Sequence, residues 1–218
     1  YSTIVVMLII MVSCKTQESK FNIVELNYSD NLTVVKRADW NWIPLDTPKT
    51  ESQISKITIH HGGVIFNADQ DPIKSLQNLQ KWSRAEKGWM DIPYHFMIDL
   101  EGKIYEARPI NYPGDTNTEY DPTGHALIEV MGNYEVQEFS EAQLNSMVLL
   151  SAYLAKEFNV SLEDIKTHKD YSEQTVCPGK NFKVAGFGVL SVCMNIKLPS
   201  GYHTANMCCG PCNVKFLE

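Results

Sequence analysis

The amino-acid sequence predicts an α/β protein, a central sheet flanked by helices. Short β-branched and apolar runs alternate with two long stretches of helical period, the pattern that layers helices on a sheet. Two of the strand-like runs also end in histidine, and side chains at strand ends are where such sheets carry their chemistry.

Val34 and Val35, followed by Trp40 and Trp42, begin the domain, with the tryptophans read as packing anchors. Residues 56–60 alternate apolar and polar as a strand ending at His60. Asp71-Pro72 reads as an N-cap with proline at the first helical position. Ile73, Leu76, Leu79 and Trp82 keep helical spacing behind it, so a helix is expected to about Lys87. The preceding 67–71 loop is acidic but lacks calcium-loop spacing and reads as solvated. Runs 92–100 and 103–107 form a hairpin turning at Glu101-Gly102. Residues 111–123, rich in Asn, Asp, Pro and Gly, are a loop.

A third strand, 126–132, is apolar except for Glu129. Ser140-Glu141-Ala142-Gln143 has capping-box form. It opens a helix whose apolar face is Leu144, Val148, Ser151, Ala155 and Phe158, widened by Met147, Leu150 and Leu154. After a turn at 161–164, a strand over 165–167 delivers His168.

At 218 residues and 44% hydrophobic, the chain suits one domain with extensions. Its formal net charge of −7, with no Lys/Arg cluster, argues against nucleic acid as a partner. Residues 3–14 are an apolar run too short to span a bilayer and read as a secretory signal, with a buried strand as the alternative. Met11-Val12-Ser13-Cys14 resembles a bacterial lipobox, which makes Cys14 the expected lipid-attachment residue and 1–13 the signal. No initiator Met or basic leader precedes it, so the gene is expected to start upstream. Lipidation at Cys14 would anchor an exported protein to the membrane of a bacterial cell envelope, periplasmic or outer-membrane. Residues 14–33 read as a polar tether and 34–185 as the domain. The 186–218 tail carries Cys193, Cys208, Cys209 and Cys212; disulfides, a redox or metal pair and a sequence artefact all stay open.

The candidate chemistry lies at the strand ends. His60, His168 and Cys177, the last pinned by Pro178-Gly179, make two imidazoles and a thiolate. That is the ligand count of a catalytic zinc site, which keeps its fourth position for water. Glu129, a lone carboxylate in an apolar strand, is the candidate acid/base, because burial would raise its pKa. Its alternative is a structural ion pair. A second chemistry, with Cys177 as nucleophile and His168 as base, would need no metal. His61, His95, Arg108 and His125 are candidate substrate contacts, each with a structural alternative.

With these residues in place, the chain resembles the type-2 N-acetylmuramoyl-L-alanine amidases, the fold shared with phage T7 lysozyme and peptidoglycan recognition proteins. The matching segments come in family order: Ile59-His60-His61, residues 92–96 with 99–106, residues 127–133, and Thr167-His168 through Cys177-Pro178-Gly179. The resemblance covers about 34–182 and implies a mixed central sheet flanked by helices. It also implies zinc on His60, His168 and Cys177, peptidoglycan or muropeptide as substrate, and hydrolysis of the bond between N-acetylmuramic acid and L-alanine. By position, Tyr94 matches the family's active-site tyrosine, with Pro93 where a glycine is usual. Glu129 matches the acid/base glutamate of some bacterial members, and Thr175 a position held by lysine or threonine. The loop from His168 to Cys177 is one residue longer than the family pattern. A non-catalytic module that binds peptidoglycan is the alternative on the same fold.

Overall fold

The computed structural model describes residues 21–46 and 49–182. The expected signal, Cys14 and the cysteine-containing tail lie outside the described residues. Eight regular elements organise the rest: β1 (Val34–Val35), β2 (Lys56–His61), α1 (Pro72–Glu86), β3 (Phe96–Ile98), β4 (Ile104–Glu106), β5 (His125–Val130), α2 (Glu141–Phe158) and β6 (Ile165–Thr167). The sheet order is β1-β4-β3-β5-β2-β6. Strands β3, β5, β2 and β6 run parallel, while β4 pairs antiparallel with β3 and β1 parallel with β4. The sheet is mixed, as the resemblance implies.

Period-two alternation divides the side chains between two faces. Ile57, Ile59, Phe96, Ile98, Ala126, Ile128, Val130 and Ile165 join Met147, Val148, Leu150, Leu154 and Ala155 of α2 in one buried core. Met97, Tyr105 and Ala107 join Trp40, Leu76, Ile92 and Met131 in a second, on the α1 side. The helices begin where their caps specify. Asp71 accepts from the Ile73 and Lys74 amides, and Ser140 and Gln143 close a reciprocal capping box. Asn159 in the left-handed region ends α2.

Three details differ from the sequence reading. In α1, Leu76, Gln80 and Ser83 are buried while Trp82 is exposed. Gln80 sits inward because it bonds both the Ile43 backbone and Asp91. The regular part of each hairpin strand is only three residues long. Residues 21–33, expected as tether, form no helix or strand, yet Leu26 and Leu32 are buried in the α2-side core. Among the described residues, no helix is long and apolar enough to cross a membrane.

Candidate metal centre

Alternation also assembles the site. Ile57 and Ile59 face α2, so Thr58 and His60 face the other way, and His60 pairs in register with Glu129 of β5. On the far side Ile59 pairs with Thr167, so the next residue, His168, arrives beside His60. Their rings are 4.6 Å apart between centroids. The loop after His168 returns to the same strand ends, where the Lys169 amide bonds the Cys177 carbonyl at 2.9 Å. Cys177 Sγ then lies 3.8 Å from His60 Nδ1 and accepts from the His61 amide at 3.3 Å.

One donor atom from each of His60, His168 and Cys177 falls within 4.8 Å of the others, and all three residues are buried. This donor set fits zinc: two nitrogens and a sulfur, of borderline-to-soft character, converging on one point. Burial lowers the pKa of His60 well below the ordinary value and that of His168 to about 4, so both imidazoles are neutral and keep a lone pair. Burial pushes the Cys177 thiol up to about 12. Without a cation it would therefore be a thiol at neutral pH, which disfavours a cysteine nucleophile.

Glu129 lies beside the triad with 4% of its surface exposed, and its Oε2 has no hydrogen-bond partner. Burial raises its pKa to about 8. Gly62 makes room for it, since a Cβ there would fall 2.5 Å from Glu129 Oε1. Tyr94 packs its ring 5.3 Å from that of His60, and burial holds its hydroxyl protonated, well above the usual range. Thr175 accepts from the Cys177 amide at 3.1 Å, bracing the loop that carries the thiol.

The other candidates are committed to the fold. His61 follows His60 and so points to the opposite face, where its Nδ1 accepts from the Tyr134 amide at 3.2 Å. His95 is fully enclosed, with one ring nitrogen on the Leu127 amide and the other on the Tyr112 carbonyl. Arg108 is also buried, its guanidinium spent on the carbonyls of Asp91, Ile92 and Pro113 and on Asp115. Arg108 and His95 turn no polar atom to open space, and His61 lies on the face of the sheet opposite the triad. His125 bonds Thr58 Oγ1 at 2.8 Å through Nδ1 and packs against Tyr120 and Tyr171. Three residues without a sequence signal do reach the ligands: Thr118 and Thr116, at 2.8 and 3.5 Å from His168 Nε2, and Tyr120, whose hydroxyl lies 3.4 Å from His60 Nε2. A polar recess of about 400 Å³ lies on that side, lined by Lys49, Asp115, Thr118 and Tyr120 among others.

A fold with this strand-end triad defines a class, and the comparisons agree with it. Residues 50–180 match the family described as N-acetylmuramoyl-L-alanine amidase, Amidase_2. The chain belongs to that family. Peptidoglycan-recognition protein SC2 of Drosophila melanogaster is 30% identical over 154 residues, 69% of this chain and 82% of that protein. Peptidoglycan recognition protein 1 of Mus musculus is 27% identical over 150 residues, covering 67% and 81%. Among solved structures, N-acetylmuramoyl-L-alanine amidase LysC from Clostridium intestinale superposes with a TM-score of 0.60 at 28% identity, covering 75% of this chain and 98% of that one. Drosophila peptidoglycan recognition protein SD, at 22% identity and a TM-score of 0.63, shares the fold. The family joins catalytic amidases and recognition proteins, and both are concerned with peptidoglycan.

Proposed function

We propose that this protein is a zinc-dependent N-acetylmuramoyl-L-alanine amidase that cleaves peptidoglycan or muropeptides during cell-wall turnover. The observation that carries the reading is the intact, buried His60–His168–Cys177 donor set. Zinc on these residues would supply a Lewis acid that activates water and polarises the scissile carbonyl.

The chain's own groups would do the rest. Glu129, with a pKa raised to about 8, is matched to taking a proton from water and returning it to the leaving amine. The Tyr94 hydroxyl, kept neutral by burial, donates a hydrogen bond toward the developing oxyanion. Thr175 accepts through its oxygen, so its hydroxyl proton remains available for the same task. Glu129→Gln and Tyr94→Phe variants are expected to lose turnover while keeping zinc. A variant with full turnover would remove its residue from the mechanism.

The second reading, a binding module, is favoured by the names of the 30%-identical relatives. Mass spectrometry of peptidoglycan fragments after incubation with zinc-loaded protein separates the two. Free stem peptides beginning at L-alanine, absent with Cys177→Ala and after chelation, establish the amidase. Intact fragments that co-purify with the protein establish the module. Lipid attachment at Cys14 and residence in the cell envelope belong to the same proposal, supported by the lipobox-like Met11-Val12-Ser13-Cys14.

A further inference from the structure

His60 turns Nδ1 toward Cys177 Sγ, and the Nε2 atoms of both His60 and His168 meet hydroxyls of the 111–123 loop. Thr118 Oγ1 lies 2.8 Å from His168 Nε2, and Thr116 Oγ1 lies 3.5 Å from the same atom. Tyr120 presents its hydroxyl to His60 Nε2 at 3.4 Å, while His60 Nδ1 faces Cys177 Sγ. A neutral imidazole carries one donor and one acceptor, so the partner of one nitrogen decides the state of the other.

We infer that Thr118 and Tyr120 are positioning residues for the two histidine ligands, their hydroxyl oxygens accepting the Nε2 protons of His168 and His60. Both Nδ1 lone pairs are thereby left for the metal. The inference rests on the zinc reading above. The hydrogen-bond chain is consistent with that direction: His168 Nε2–H donates to Thr118 Oγ1, whose hydroxyl in turn donates to Thr116 Oγ1 at 2.9 Å. Thr116 Oγ1 also accepts the Thr118 amide at 3.2 Å, which holds Thr116 in place as the acceptor for the Thr118 hydroxyl.

The loop that carries them is itself held at several points. Glu119 accepts from Ser172 at 2.6 Å, tying it to the His168–Cys177 loop. The Tyr120 ring stacks on Tyr171 at 5.6 Å and 20°, and packs 5.2 Å from the ring of His168. Asp115 anchors the loop's first half to the buried Arg108 and to Lys49. The hydroxyls are thus placed by contacts of the fold itself, as partners behind metal ligands must be.

The test is the zinc dissociation constant of the full chain, measured by competition with a chromophoric chelator, for the parent, Thr118→Val, Thr118→Ser and Tyr120→Phe. The visible spectrum of the cobalt-substituted protein and the melting temperature of the metal-free protein accompany it. Loss of a partner behind a ligating histidine costs roughly ten- to a hundredfold in metal affinity. Thr118→Val is expected in that range, Tyr120→Phe several-fold because its contact is longer, and Thr118→Ser near the parent. The cobalt spectrum should shift in Thr118→Val, with the metal-free melting temperature unchanged. Equal affinities across the set would overturn the inference while leaving the zinc reading intact. So would losses that serine does not rescue and that track a lowered metal-free melting temperature. A parent that binds no zinc would overturn both readings.

Discussion

Glu129 is a carboxylate held where a carboxylate is costly. It is buried, one oxygen has no partner, and desolvation alone raises its pKa from 4.5 to about 8. The folded state therefore keeps its proton up to about pH 8, while the unfolded chain releases it near 4.5. Between those values the folded state binds more protons, so this group makes stability fall as pH rises, and its effect levels off above about 8. His95, with a pKa lowered to about 3, and His125 and His168, lowered to about 4, act in the opposite sense. Their neutral burial stabilises fully above the ordinary histidine value of 6.5 and is lost as pH falls toward 4. Comparing Glu129→Gln with the parent, both metal-free, cancels the histidines. The stability difference should grow in favour of the variant by up to about 1.4 kcal/mol per pH unit across that window. Denaturant titrations that give parallel pH curves would show that Glu129 is already ionised in the fold across that window.

The elements separate stability from chemistry. Helix α2 packs on the face opposite the triad, and its start is held by Ser140, which accepts from the Gln143 amide and donates to the Leu100 carbonyl. Ser140→Ala should cost about 1 kcal/mol. For a chain of this size that lowers the melting temperature by roughly 2–4 °C, with zinc affinity unchanged. A loss of zinc binding would mean the two faces are coupled through the sheet. This helix was legible in the sequence because cap and period agree, and so were β2 and β5, whose runs carry His60 and Glu129, and β6, which delivers His168. Gln80 was not, because a buried glutamine is chosen by distant partners such as Asp91 rather than by its own period. Thr118 and Tyr120 were not, because a loop hydroxyl has no periodicity and finds its histidine only once the chain has folded. His61 shows the limit from the other side: it is adjacent to a ligand in sequence, and strand alternation turns it to the opposite face.

At the scale of the whole molecule, the segment before β1 closes the α2-side core. Leu26 and Leu32 are buried there, and the Tyr28 ring lies 5.4 Å from Tyr153 of α2 and 6.4 Å from Phe96 of β3. The Tyr28 hydroxyl donates to Glu106 at 2.7 Å, and Lys36 pairs with the same carboxylate at 3.0 Å. Glu106 is buried, so these partners supply the contacts its charge would otherwise find in water. Nothing in the residue pattern announced this, since isolated leucines among polar residues carry neither a helical nor a strand period. A tether and a docked segment differ in one measurable way. If residues 21–33 were only a leash, Leu26→Ala and Leu32→Ala would change nothing. As part of the core, each should cost at least about 2 kcal/mol, since truncating a buried leucine loses both its transfer free energy and its packing. Together they should lower the melting temperature of the metal-free protein by on the order of 10 °C. Zinc affinity should stay at the parent value, because the segment packs on the face of the sheet away from His60, His168 and Cys177. A double variant that melts with the parent would return the segment to the role of tether, and the domain would then begin at β1.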